Sequence, residues 1–287
     1  MKTICKKEIR SYLTSMTGYV FIAFVLLLAG IYFTVYHMLQ GYPIFGVTLD
    51  SMSFVFLIIT PILTMRALAE EQRAKTDQLL FTSPLSVKDI VMGKYLGMIS
   101  IFGITVLILC LFPLIMLAYG EVSLPMAYTA LLGFFLLGCA SISVGLFVSS
   151  ITESPVIAAV ITFGVLFVSY LIDGINSMLG QTAATSTLIF AILILGVAVI
   201  VYSVLKNSLL AILIGVLGEA VLMVIYFVNS SLLEGAIQNF LDIFNLTSHF
   251  TDFTNGILSL SHIVYYLTVI GVCLFLTVQS IQKRRWS

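Results

Sequence analysis

Charge is what this 287-residue sequence has least of. Asp, Glu, Lys and Arg make up 9% of it, against 60% hydrophobic residues, where soluble domains carry about 25% charged residues. A soluble core cannot hide so much apolar surface, so the solvent for most of the chain is a bilayer. Cysteine is also sparse. Cys5, Cys110, Cys139 and Cys273 lie far apart, three of them in apolar runs. They match no disulfide framework and no CxxC metal pattern, and they read as small packing residues. No GxxxxGK[ST] run occurs, because Gly93-Lys94 lacks the preceding glycine at the needed spacing. Without a phosphate-binding loop, ATP hydrolysis by this chain is not expected. HExxH and GxSxG are missing too. His37, His249 and His262 are scattered over outer loops or span ends, which argues against catalysis or metal binding by them. No linker, low-complexity run or internal repeat is visible, which weakens the reading as a carrier built from two similar halves.

What is there is a series of apolar runs. A bilayer core of about 30 Å needs roughly 20 apolar residues per helix. Eight runs qualify: Tyr19–Leu39, Met52–Met65, Tyr95–Ala118, Met126–Ser149, Val156–Ile172, Leu188–Leu205, Leu209–Val228 and Ile263–Ile281. The second and fifth are short, and the second is expected to continue as a helix into the charged stretch that follows. The first follows Lys2, Lys6, Lys7 and Arg10 but is too long for a signal peptide and lacks a small-residue cleavage site, so it reads as an uncleaved anchor. The expected fold is an all-α integral membrane protein, a polytopic helix bundle forming one membrane domain.

Orientation follows from the basic residues. With the N-terminus in the cytoplasm and eight crossings, every Lys and Arg falls inside. Lys2, Lys6, Lys7 and Arg10 come first. Arg66, Arg73, Lys75, Lys88 and Lys94 lie in the first inner loop, Lys206 in a tight turn, and Lys283, Arg284 and Arg285 at the end. The outer loops carry Asp50, Glu121, Asp173, Glu234, Asp242 and Asp252 instead. This is the positive-inside pattern, with both termini cytoplasmic. The composition suggests the cytoplasmic membrane of a bacterium. Nothing in the charge pattern suggests a nucleic-acid partner.

The stretch MRALAEEQRAKTDQLLFTSPLSVKD, residues 65–89, holds eight of the 26 charged residues. Its spacing predicts a helix over Arg66–Phe81. Glu71 and Lys75 are four apart, as are Arg73 and Asp77, and Glu70 and Arg73 are three apart. Pro84 stops that helix. Ser86 then reads as an N-cap with Asp89 at the third helical position. An ordinary solvated connector would explain the charges alone. Connections between helices usually take about 2–8 residues, however, and Leu79, Leu80 and Phe81 offer a hydrophobic knob that a loop does not need.

Within this stretch, MRALAEEQRAKTDQLLFTSPLSVKDIVMGKYLG resembles the coupling region of ABC-2 type transporter permeases: an apolar helix end, Arg, a Glu-rich turn, Thr, paired leucines, then Ser before Pro. KKEIRSYLTSMTGYVFIAFVLLLAG and LDIFNLTSHFTDFTNGILSLSHIVYYLTVIGVCLFLTVQSI are similar to the gliding-motility-type branch of that family. Relatives commonly carry a small residue followed by Gly where this chain has Ala74-Lys75, and often Glu where it has Gln78. Many have six spans, so the hairpin at 188–228 is an addition to a six-helix core. The resemblance implies a type V exporter-like permease half without cofactors of its own. It would pair with a second permease chain, identical or related, and with two ATPase subunits that bind ATP and Mg. Arg66, Glu70, Glu71, Arg73, Thr76, Leu79, Leu80 and Pro84 would dock into the ATPase. In this reading residues 1–18 form a cytoplasmic N-terminal segment, 66–94 the coupling helix-turn-helix, and 229–262 an extracytoplasmic amphipathic or re-entrant segment before the last span.

Other residues leave alternatives open. Glu219 lies near the middle of the seventh run, where a charge is costly. It reads either as a contact on the transport path or with a partner, or as a packing hydrogen bond. Pro61 would kink the second span, either as part of the mechanics or as a tolerated break. Gly133, Gly138, Ser141 and Gly145 form a small-residue stripe that suits close helix packing. Leu233, Ile237, Phe240, Leu241 and Phe244, and then Phe250, Phe253 and Ile257, recur at helix spacing and predict two short amphipathic helices. The rival functions are an ion- or proton-driven carrier using Glu219 and Asp173, and a non-transporting scaffold.

Overall fold

The computed structural model describes residues 2–76, 86–118, 120, 122–206 and 208–286. Their contacts divide the chain into two compact units, residues 1–170 with 246–287, and residues 171–245.

The first unit opens with α1 (Lys2–Thr14), an amphipathic helix. Ile4, Cys5, Glu8, Ile9, Tyr12 and Leu13 turn inward at helix spacing, while Lys6, Lys7 and Arg10 are exposed. Ser15 is extended and turns the chain into α2 (Met16–Phe33), which continues as a π-helical turn over Thr34–Leu39. The second span is built from pieces: α3 (Gly46–Ser51), a 3-10 turn at Ser53–Val55 and α4 (Phe56–Thr64). A break at 65–68 precedes α5 (Ala69–Arg73). After the gap in the description come α6 (Val87–Leu109), α7 (Leu111–Leu117) and α8 (Leu124–Ile151). Helix α9 (Pro155–Met178) runs from the first unit into the second. The first unit closes with α13 (Thr251–Thr254) and α14 (Leu260–Trp286), which follow the second unit along the chain.

Helix α8 is the axis of this unit. Helices α4, α6 and α14 pack against it, and Gly133, Gly138, Ser141 and Gly145 are all buried. The stripe has the packing role its composition suggests. At Gly138 a side chain would run into the Phe102 ring, which lies 5.7 Å from Phe56 and 6.0 Å from Phe134 between ring centroids. Lipid is as apolar as these side chains, so this close packing, rather than escape from water, holds the helices together.

The second unit contains the hairpin of α10 (Ala183–Leu205) and α11 (Ser208–Val228), a 3-10 turn at Ser230–Leu233 and α12 (Ala236–Asp242). Within this unit two amide contacts tie α12 to the end of α9 and the residues just after it: Asn176 donates to Asp242 Oδ1 at 2.8 Å, and Gln238 donates to the Gly180 carbonyl at 3.2 Å. Of the amphipathic stripe predicted here, Leu233 and Ile237 are buried, whereas Phe240 and Phe244 are exposed.

Among the described residues, eight helical runs are long and apolar enough to cross a membrane, the number read from the sequence. The second reaches from Gly46 to Arg73 and the fifth from Pro155 to Met178, both well beyond their expected bounds.

Candidate functional site

The charged segment begins where α4 stops. Met65 to Leu68 leave the helix, and three hydrogen bonds from α8 hold the break. Leu68 N–H and Ala69 N–H donate to Ser149 Oγ at 3.2 and 3.1 Å, and the Ser149 hydroxyl lies 3.3 Å from the Met65 carbonyl. Two N–H groups at the start of α5, which no helix turn can satisfy, thus find a partner. Gln72, buried on α5, donates its amide to the Ser150 carbonyl at 3.1 Å. Ser280 on α14 bonds the same carbonyl at 3.2 Å, and Arg284 bonds that of Ile151 at 3.1 Å. The last turn of α8 therefore uses carbonyls with no intrahelical partner to gather α5 and α14.

The other side of α5 meets a buried cation. Lys94, about two turns into α6, is 3% exposed. Its ammonium donates to Glu71 Oε1 at 2.7 Å, Glu8 Oε1 at 3.2 Å and the Ala67 carbonyl at 2.8 Å. Three N–H donors meet three acceptors, so the burial leaves no donor wasted. Glu8 reaches Lys94 because Gly97, next along that face of α6, has no side chain. A Cβ there would sit 2.6 Å from the Glu8 Cβ. Tyr12, one turn beyond Glu8, donates its hydroxyl to the Leu63 carbonyl at 3.1 Å. Burial pushes this phenol above its ordinary range, and the carboxylates of Glu8, Glu71 and Glu70 push the same way, against Arg66.

These contacts change the expected picture of the segment. The helix predicted over Arg66–Phe81 is confined, among the described residues, to Ala69–Arg73. It ends in a Schellman turn: Thr76 N–H bonds the Glu71 carbonyl at 3.0 Å and Lys75 N–H bonds that of Gln72 at 3.1 Å. Lys75 takes the left-handed conformation there, with φ 54°. The helical pairing of Glu71 with Lys75 is replaced by the longer-range pair of Glu71 with Lys94. Of the predicted docking residues, Arg66, Glu70, Arg73 and Thr76 are exposed, and Glu71 turns inward. Leu79, Leu80 and Pro84, with Asp77, Gln78 and Phe81, lie outside the described residues. Beyond them, Ser86 caps α6 as expected. It accepts from Asp89 N–H at 3.1 Å and its hydroxyl bonds the Asp89 carboxylate at 2.7 Å.

Sequence reasoning passed over Lys94, Glu8 and Ser149. The available signal was a lysine flanked by Gly93 and Gly97 inside an apolar helix, and one acid, Glu8, in an otherwise basic N-terminal segment.

The remaining candidates lie elsewhere. Pro61 is buried inside α4 three residues before that helix ends. Glu219 lines an apolar groove of about 760 Å³ in the second unit, with Leu195, Ala198, Val199, Tyr202 and Ile212. Its Oε1 is buried and has no hydrogen-bond partner. Two histidines that look scattered in sequence are brought together: the rings of His249 and His262 lie 4.9 Å apart, His249 stacks on Tyr265, and His262 Nδ1 is 3.3 Å from Asp252 Oδ2. Asp252 is carried by the short α13, while Tyr265 and His262 lie on α14, so the cluster staples the turn before the last helix to that helix.

No curated protein matches the sequence. A family model described as ABC-2 family transporter protein matches residues 6–214. The match takes in most of α1, the break at Ser149, the buried Lys94 and the whole charged segment, which is the region where the geometry is most elaborate. With 6–214 matched, the chain belongs to the ABC-2 transporter family.

Proposed function

We propose that this chain is the membrane-spanning permease of an ABC-2 exporter, driven by separate ATPase subunits that bind ATP and Mg. It works beside a second permease chain in the bacterial cytoplasmic membrane, within the gliding-motility-type branch. One observation carries the reading. Arg66, Glu70, Arg73 and Thr76 stand exposed around a short helix whose other side is bonded to Lys94, Ser149 and Ser150. A segment that is charged outward and fastened inward is what force transmission needs: charges to set the register of a partner, and a rigid seat to pass its motion on. Leu79, Leu80 and Pro84 belong to the same docking surface in this reading. The test is a pull-down of the tagged chain in mild detergent. An ATPase subunit that co-purifies, and is lost with Leu79→Asp, supports the reading. A chain that arrives alone and moves substrate without ATP overturns it.

A second reading has one observation of its own. The unpartnered Glu219 oxygen faces an apolar groove, and such a carboxyl suits a titrating group in an ion- or proton-driven carrier. That reading requires transport that an uncoupler abolishes, that ignores ATP, and that Glu219→Gln removes.

A further inference from the structure

We propose that Lys94 is the positioning residue of the charged segment, a lock that makes α5, α1 and α6 move as one body. The inference rests on the docking role proposed above and assigns the means by which motion leaves that site. The segment touches the bundle on two sides. On one side the partners are neutral, Ser149 and the Ser150 carbonyl on α8. On the other the partner is a buried cation that holds three elements at once: Glu71 on α5, the Ala67 carbonyl in the break, and Glu8 on α1. These partners lie 23, 27 and 86 residues away in sequence, so no local structure would bring them together. Gly97 lets α1 approach α6 closely enough for the bond to Glu8.

The charge count makes the lock testable. One ammonium serves two carboxylates, whose side chains are 14% and 20% exposed. Tyr12 on α1 lies in the field of both carboxylates, together with Glu70 on α5 and Arg66 in the break. Remove the ammonium and two carboxylates face each other with no cation between them. They would separate at neutral pH, and α5 would leave its seat. Replacing one of them by a neutral amide would let the pair close again through a hydrogen bond.

The experiment uses the full chain in lipid nanodiscs. One readout is amide exchange over residues 66–76, and the other is the ATPase subunit retained by the tagged chain. Glu8→Gln and Glu71→Gln are each expected to speed exchange severalfold. Together they should give less than the product of the two, because both act through Lys94. Lys94→Met is expected to lose ATPase, and Lys94→Met combined with Glu8→Gln to regain part of it, since a neutral amide facing the remaining carboxylate removes the repulsion. Wild-type exchange in both Gln variants overturns the inference, and so does a Lys94→Met loss that Glu8→Gln leaves untouched. If Lys94→Met does not insert, the two Gln variants decide. Faster exchange in a chain that never retains an ATPase supports the lock and overturns the docking role.

Discussion

Lys75 shows how a single residue departs from its own preference. It is exposed, and its φ of 54° places it in the left-handed region. For a residue with a Cβ that conformation costs about 1–2 kcal/mol. The Schellman bonds of Lys75 and Thr76 require it, and glycine meets the requirement without the steric penalty. Glycine gains more freedom in the unfolded chain, which returns about half of the benefit. Lys75→Gly is therefore expected to raise the melting temperature of the purified chain by about 2 °C, and Lys75→Val to lower it. A Gly variant that melts below wild type would contradict the left-handed turn. Lys94 is the opposite case, a residue whose cost is met entirely by its partners. Breaking a buried pair by removing one member typically costs about 3–5 kcal/mol, which is why neutral Gln variants of the carboxylates are milder probes than loss of the lysine.

Among the elements, the contrast lies between α6 and α5. Helix α6 was legible because its signals are local: Ser86 and Asp89 form the cap, and a long apolar run follows. The charge spacing in α5 was equally local and yet misleading. Pairs four residues apart contribute only about 0.2–0.5 kcal/mol each, too little to hold a helix against a buried lysine and two serine contacts from α8. The helix ends at Arg73 in the Schellman turn of Lys75 and Thr76, and Glu71, which local spacing pairs with Lys75, meets Lys94 instead. The same logic makes the seam between α1 and α6 sensitive. Gly97→Val would place two methyl groups where the Glu8 Cβ lies 2.6 Å from an added Cβ. Overpacking of this kind typically costs about 1–3 kcal/mol, and here it also pulls Glu8 from Lys94. The variant should melt several degrees lower and lose the non-additivity between Glu8→Gln and Glu71→Gln. Unchanged melting would mean that α1 does not lie against α6 at this point.

For the whole molecule, the apolar runs made the number of spans legible, because length and hydrophobicity alone decide which helices suit a bilayer. Contacts such as Lys94 with Glu8 were not, since nothing in a linear pattern says which of several acids a lysine will meet. The sidedness read from the basic residues has its weakest support at the hairpin of α10 and α11. Lys206, exposed and left-handed at the end of α10, is its only cation. Single cysteines on a chain cleared of Cys5, Cys110, Cys139 and Cys273 would test this directly, using an impermeant thiol reagent on sealed vesicles. Lys7, exposed on α1, marks the side of the N-terminus. Cysteine at Lys206 should label from that same side, and cysteine at exposed Ser230 only from the other. If Lys206 and Ser230 label together, the hairpin does not cross and the count falls from eight to six. The charges of the remaining loops would keep their sidedness in that case, because a hairpin contributes two crossings or none. The outcome would thus touch the hairpin alone, and leave α1, α5 and Lys94 on the side that the basic residues assign to them.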